Sequence, residues 1–305
     1  MVFDETLDTL SGHASGDSLG AVVAHGTGDG EGNLFAGLLH HVQDSNELEI
    51  PFGHVTLPQF DPVMIAGIPF DFSITKHVVF LWISALILIV AAGVAAWKNR
   101  KRQIPTGFGN LMEVFVTFIR DEVAVPNMGP AGMKYVPFLL TTFFFILTMN
   151  LIGLIPFGAT PTGNVSVTAG LAIIAFVMIQ AAAIREQGLG HYLMHLTGGV
   201  HWLLWPIMVP IEILGLFTKP FALCIRLFAN MTGGHTVIVA LLGLIFIFKS
   251  YLVAVGPFGF VLGIMVLELF VAFLQAYVFT MLTSLFMGLG MNVAEEQNDH
   301  DKRKH

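Results

Sequence analysis

Charge is scarce in this chain. Only 11% of its 305 residues are Asp, Glu, Lys or Arg, whereas 55% are apolar. A soluble domain of this length needs more charge to cover so much apolar surface. The net charge is -7 and the largest basic cluster has four residues, so we expect no nucleic acid among the partners. The composition therefore predicts a polytopic membrane protein whose helices cross a lipid bilayer.

Cysteine and nucleotide-binding motifs are nearly or wholly missing as well. Cys224 is the single cysteine, so no disulfide can form within the chain. No glycine-rich loop of the G-x-x-x-x-G-K-[ST] type is present, so we expect no nucleotide-binding or ATP-hydrolysing site. We expect no metal and no cofactor, because the five histidines near the N-terminus match no usual ligand spacing. Whether the chain is itself an enzyme is left open.

The first 75 residues lack basic side chains. They contain 11 Asp and Glu residues but no Lys or Arg. We predict an acidic extracytoplasmic region that is partly disordered, with residues 1–33 mobile, a short amphipathic helix at Asn33–Val42 and extended chain over 49–75. Its pattern fits neither a secretory signal peptide nor a mitochondrial transit peptide. A segment without positive charge is easily translocated, so we place it outside the cytoplasm.

Long apolar runs follow, and they predict an all-α fold with five membrane-crossing helices in a membrane domain at 76–291. The segment 108–125 is amphipathic and is predicted to lie along the cytoplasmic interface, although a helix in a soluble core has the same pattern. The five spans are predicted at about 77–97, 136–157, 168–184, 206–248 and 257–291.

The last two spans are longer than a hydrocarbon core of about 30 Å requires. They must tilt, break or extend beyond the membrane, and we predict that they form a long tilted antiparallel hairpin. Residues 292–305 form a polar cytoplasmic tail. With this topology, ten of the 14 basic residues lie on the cytoplasmic side, two outside and two within spans. By the positive-inside rule, this bias predicts that the N-terminus lies outside and the C-terminus in the cytoplasm. We expect a multi-pass protein of a bacterial inner membrane.

Ionisable side chains inside the membrane are concentrated in the last two spans, and the first three contain almost none. Each such charge costs from about 3 to more than 10 kcal/mol. We therefore predict that the function resides in the final hairpin. Its ionisable and amide residues are Glu212, Lys219, Arg226, Asn230, His235, Glu268 and Gln275.

Arg226 lies about 20 residues into its helix, and helical spacing puts Ala222, Ala229 and Gly233 on the same face. Small residues allow another helix to approach closely. Because arginine does not lose its proton in proteins, it is suited to attracting a passing carboxylate and lowering its pKa. The alternative is an arginine that reaches the interface or forms a structural pair.

Two residue pairs fit one antiparallel register of the hairpin: Arg226 with Gln275, and His235 with Glu268. Gln275 would then steady the guanidinium without neutralising it. His235 and Glu268 would form an outer pair of titratable groups that passes protons, or a buried polar pair that only fixes the hairpin. Glu212 lies on nearly the face of Arg226, and either lines an inner aqueous path or is an interfacial carboxylate.

The residues around this arginine are similar to a known family. The run 219–231, KPFALCIRLFANM, closely resembles the signature of subunit a of F-type ATP synthases, and the run 267–276, LELFVAFLQA, resembles the matching final helix. Weaker similarities lie at 150–156 and 162–168. The resemblance covers about residues 70–291.

The resemblance implies a stator subunit in which the hairpin lies against a rotating ring of c subunits. Two offset half-channels would lead ions, protons in the first place, to a carboxylate on each ring subunit and so drive ATP synthesis. Arg226 would correspond to the essential arginine between the half-channels, Asn230 and Gln275 to its polar neighbours, and Glu212 to an inner half-channel carboxylate. The implied partners are the c-ring, peripheral-stalk b subunits, other ATP synthase subunits and the lipid bilayer.

One departure from the family pattern is visible. Some bacterial members have glutamate at the position of His235 and histidine at the position of Glu268, so the two are exchanged here. The exchange retains one acid and one imidazole in the outer path. Two other classes of protein compete with this interpretation. A secondary transporter would require an internal repeat, which the sequence lacks, and a membrane anchor would not require a polar hairpin.

Overall fold

The N-terminal region contains two short β-hairpins ahead of the membrane domain. The computed structural model describes residues 47–50, 53–56, 63–65, 68–70, 75–100, 107–155, 160–190, 192, 205–248 and 251–302. Strand β1 (Glu47–Ile50) pairs antiparallel with β2 (Gly53–Thr56), and β3 (Val63–Ile65) with β4 (Ile68–Phe70). Three of these strands lie within 49–75, the segment predicted to be extended, and β1 begins two residues before it. The predictions for 1–33 and Asn33–Val42 concern residues outside the described ones.

From Lys76 onward every described regular element is helical, which confirms the all-α membrane domain. A π-helical segment (Ile119–Ala124) and two 3₁₀ turns (Pro130–Tyr135 and Pro161–Gly163) interrupt the α-helices. The α-helices are α1 (Lys76–Arg100), α2 (Phe108–Phe118), α3 (Val125–Met128), α4 (Val136–Gly153), α5 (Val165–Gln187), α6 (Trp205–Phe248) and α7 (Tyr251–Lys302).

Five of the described helical segments are long and apolar enough to cross a membrane, which confirms the predicted number of spans. They are Lys76–Lys98, Pro130–Gly153, Val165–Gln187, Trp205–Ile238 and Gly256–Met291.

Helix boundaries differ from the predictions where local chemistry sets them. Helix α5 begins at Val165, three residues earlier than predicted, because the side chain of Asn164 accepts a hydrogen bond from the backbone N–H of Ser166 at 2.8 Å and caps the helix. Helix α4 ends at Gly153, shortly before Pro156. A proline disfavours the helical conformation of the residue before it, so the helix cannot easily continue to this point. Helix α7 continues to Lys302, so most of the predicted polar tail is helical.

The described part of the chain divides into two compact units. One contains residues 235–264, the end of α6 and the start of α7. The other extends from Ser45 to Gly234 and from Met265 to the C-terminus, and it holds the remaining elements. All contacts given below lie within this larger unit.

The amphipathic segment 108–125 is helical throughout but is not one continuous α-helix. Its π-helical part buries Ile119 and Val123 completely, and the ring of Phe115 lies 5.8 Å from the rings of both Phe143 and Phe273. Its apolar face is therefore only partly packed against α4 and α7, and Leu111, Val114 and Val125 remain exposed. Its position along the membrane interface stays a prediction.

Helices α6 and α7 run antiparallel within the larger unit. The amide of Asn230 contacts Gln275, and the ammonium group of Lys219 lies 5.0 Å from the ring centre of Phe286. Contacts that move backward along α7 as they move forward along α6 are those of an antiparallel pair. The predicted antiparallel pairing of these two helices is confirmed, while their predicted tilt stays a prediction.

Helix α7 is anchored by polar contacts at three levels. The side chain of Asn150 on α4 donates to the carbonyl of Ala272 at 3.2 Å. The hydroxyl of Ser284 donates to the carbonyl of Val123 in the π-helical segment at 3.1 Å. Near the C-terminal end, Gln187 of α5 donates to the carbonyl of Gly290. Each level thus involves a different supporting segment.

Candidate functional site

The polar centre of the hairpin is a hydrogen bond between two amides. The Nδ2 atom of Asn230 on α6 donates to the Oε1 atom of Gln275 on α7 at 2.7 Å, and Gln275 is only 3% exposed. The sequence predicted that Gln275 would face Arg226 instead. In the structure the hydrogen-bond partner of Gln275 is Asn230, which lies one helical turn after Arg226 on α6.

Arg226 lies one turn before Asn230 on an exposed strip of α6. Ala222, Ala229 and Gly233 on the same strip are also exposed, as the helical spacing predicted. The opposite face of the helix is buried, and Leu227 is fully enclosed.

The guanidinium of Arg226 has no hydrogen-bond or ion-pair partner among the residues that the structure describes. The strip therefore presents a fixed positive charge outward, beside side chains small enough for another helix to come close. Arg226 therefore forms no structural ion pair within the described chain. The helix face that carries it is not covered by other described helices of this subunit.

Glu268 is buried in the seam between α6 and α7, where it is 3% exposed. Its carboxyl group lies directly against the backbone of α6 at Gly234. A Cβ atom built on Gly234 would lie 2.7 Å from Oε1 and 3.0 Å from Cδ of Glu268. His235 is partly buried and belongs to the smaller unit, so its predicted pairing with Glu268 stays a prediction.

Glu212 is partly buried near the start of α6. Burial, and secondarily the charge of Glu212, raises the pKa of the Tyr192 hydroxyl above its ordinary value. Glu212 is therefore near enough to Tyr192, in the segment that follows α5, for its charge to act on the Tyr192 hydroxyl. Its predicted place on an inner aqueous path stays a prediction.

A second polar cluster connects the loop before α5 with α7. Asn150 is fully buried, and its Oδ1 atom accepts a hydrogen bond from the hydroxyl of Thr162 at 2.8 Å. Its Nδ2 atom reaches the carbonyl of Ala272, one turn after Glu268. Nearby, the Nδ1 atom of the buried His77 lies 3.0 Å from the carbonyl oxygen of Thr160.

Sequence reasoning assigned no role to this cluster. The signal was present, because Asn150 is the only side-chain amide in a span without charged residues, and such a group must be satisfied inside a membrane. Metal binding has no comparable support, since no group of three or more His, Cys, Asp or Glu side chains in the described residues is placed to hold an ion.

We expect Thr162→Val to destabilise the protein by about 1–3 kcal/mol, because it leaves the Oδ1 atom of Asn150 buried without a donor. The measurement is the midpoint of thermal dissociation of the purified complex. The matched control is Thr148→Val, since the hydroxyl of Thr148 bonds only to the carbonyl of Phe144 in its own helix. Equal effects of the two substitutions would contradict a special role for the buried pair.

Known proteins match this chain over nearly all of the membrane domain. The family described as ATP synthase A chain matches residues 78–288. The chain is 54% identical over 271 residues to ATP synthase subunit a of Chloroherpeton thalassium, covering 88% of this chain and 79% of that protein.

Two further relatives are similar to this chain over most of its length. ATP synthase subunit a 2 of Chlorobaculum tepidum is 52% identical, covering 87% of this chain and 75% of that protein. ATP synthase subunit a of Myxococcus xanthus is 53% identical, covering 75% of this chain and 77% of that protein. With five helices able to span a membrane, this chain belongs to the family of ATP synthase subunit a, a membrane-sector subunit of that enzyme.

Proposed function

We propose that this subunit translocates protons through two half-channels at its interface with a rotating c-ring, and so couples a proton gradient to ATP synthesis. The observation that carries the proposal is the outward-facing Arg226, which has no ion-pair partner in the described chain. A permanent charge in a span is costly. It is retained where a mobile carboxylate on another subunit pairs with it transiently.

The proposed role of Arg226 is electrostatic. Its charge keeps an approaching ring carboxylate ionised, because a nearby positive charge lowers the pKa of an acid. Arginine itself does not release its proton at neutral pH, so it separates the two half-channels instead of relaying protons between them. Asn230 and Gln275 support this role by bonding to each other, since a bonded amide pair leaves the guanidinium unneutralised.

The other polar residues of the hairpin are assigned to the two half-channels. Glu212 is proposed to line the inner path. Glu268 and His235 are proposed to form the outer path, and Glu268 lies about two turns from Gln275 on the same helix. Their order along the hairpin supports two offset paths on either side of Arg226.

The partners and the orientation follow from the same proposal. The c-ring lies against the exposed strip of α6, and peripheral-stalk b subunits and other ATP synthase subunits complete the complex. The excess of basic residues on one side supports an orientation with the N-terminal region outside and the C-terminus in the cytoplasm. We propose a bacterial inner membrane as the location.

The test is ATP synthesis by the purified complex in lipid vesicles, driven by an imposed pH difference in the presence or absence of Na⁺. We expect the same rate in both media, because an acid and an imidazole can both carry protons near neutral pH. A strict requirement for Na⁺ would contradict protons as the coupling ion. Absence of synthesis in both media, from a complex that still hydrolyses ATP, would contradict the proposed function.

A further inference from the structure

Gly234 lies where α6 meets the carboxyl group of Glu268. Among the described glycines of α6, Gly215 and Gly233 have open space where a side chain would begin, whereas Gly234 does not. The atoms that a Cβ at Gly234 would meet first are Oε1, Cδ and Cγ of Glu268, at 2.7, 3.0 and 3.4 Å. The carboxyl group of Glu268 thus occupies the space that a side chain at position 234 would need.

This contact lies on the polar seam of the hairpin. Gly234 follows Asn230 by one turn of α6, and the amide of Asn230 is bonded to Gln275 of α7. Glu268 is buried at this level, while Leu267 and Leu269 on either side of it are exposed. The seam therefore holds the carboxyl group between the two helices and not on the outer surface of α7.

We infer that Gly234 is a positioning residue for Glu268, which keeps its carboxyl group in the seam where the outer proton path is proposed to run. This inference rests on the proposed function, because the position of the carboxyl group matters only if Glu268 handles protons. Gly234 itself has no group that binds or transfers a proton, so it acts entirely through Glu268.

A substitution at position 234 is expected to change the activity of the complex without changing the stability of the subunit. A methyl group at position 234 would displace the carboxyl oxygen by roughly 0.7–1 Å to restore ordinary van der Waals contact. The displaced atoms are the end of a flexible side chain, so the helix backbones need not move. Alanine is also a better helix former than glycine, by about 1 kcal/mol. Gly234→Ala should therefore leave the subunit folded while it moves the acid.

We expect Gly234→Ala to reduce proton-driven ATP synthesis at least about tenfold, since misplacing a reacting group by about 1 Å can cost as much as a hundredfold in rate. Complex assembly and ATP hydrolysis by the detached soluble sector should be unchanged. The matched control is Gly170→Ala in α5, where a Cβ meets no atom within 4 Å. That variant should synthesise ATP at the normal rate.

A second variant distinguishes positioning from a general packing effect. Glu268→Asp shortens the side chain by one methylene and withdraws the carboxyl group from Gly234. In combination with Gly234→Ala it makes room for the new methyl group, so the double variant should be more active than Gly234→Ala alone. A purely structural defect at Gly234 would not be relieved by shortening Glu268.

The outcomes separate this inference from the proposed function. Normal synthesis by Gly234→Ala, together with inactive Glu268→Ala, overturns the positioning role and leaves the proton path standing. A loss in Gly234→Ala that Glu268→Asp makes worse also overturns it. Normal synthesis by Glu268→Ala overturns the proposed outer path itself.

Discussion

Replacement of Arg226 by alanine should lower proton-driven ATP synthesis to the background of vesicles without enzyme, while the complex still assembles. The guanidinium makes no bond within the described chain, so its removal leaves no buried partner unsatisfied. The substitution should therefore change the stability of the fold only slightly. The proposed mechanism loses the one fixed charge that faces the ring.

The physical reason is the change in what a ring carboxylate meets. Without the positive charge, nothing on α6 stabilises the ionised form of the ring carboxylate. The apolar surroundings then raise its pKa, so the group stays protonated. The same substitution removes the barrier between the half-channels. We therefore expect lost synthesis together with a faster passive proton leak through the vesicle membrane.

Lys219→Ala is the matched control, because Lys219 is the other cation within the α6 span. Its ammonium group lies over the ring of Phe286, a contact of the kind worth about 0.5–2 kcal/mol. Loss of that contact should leave synthesis largely intact. Normal synthesis by Arg226→Ala would refute the assignment, as would an equal loss in both variants.

The second large effect is expected at Glu268 and His235. Each of Glu268→Ala and His235→Ala should reduce proton-driven synthesis at least about tenfold, and the double variant should be hardly worse than either single one. The reason is that both residues are proposed to serve one outer path, so that blocking the path twice adds little. The measurement is the rate of synthesis by the four proteins of the double-mutant cycle under the same imposed pH difference.

Thr280→Val provides the comparison for this cycle. Thr280 is buried on α7, and its hydroxyl bonds to the carbonyl of Ala276 in the same helix, away from the proposed path. Its effect should combine additively with that of Glu268→Ala. If the losses at Glu268 and His235 also multiply as independent effects do, the two residues do not share one path.

The sequence predicted best those features that depend on periodicity and on the cost of charge in a membrane. The five spans could be predicted because each needs a long apolar run. The exposed strip around Arg226 could be predicted because small residues recur at helical spacing on its face. These features are properties of single helices, so a single sequence is enough to reveal them.

Features that depend on how helices pack against each other were predicted less well. The partner of Gln275 was shifted by one turn, because residue numbering constrains a hairpin register only to within a few positions. The π-helical segment around Val123 was missed, since its stability comes from burial and from the hydroxyl of Ser284, more than 150 residues away. The partners of Asn150 could not be predicted for the same reason, although the amide itself stands out in the sequence.

The three polar anchors of α7 have a mechanical consequence. Under the proposed function, a rotating ring would push sideways on the helices that face it, and helices that yielded would store part of that work as deformation. Ala272, Ser284 and Gly290 are attached to three different supporting segments over roughly 27 Å of helix axis. Force applied along this stretch would thus be shared among several elements, and under the proposed function this sharing would help α7 to resist the sideways load of the ring.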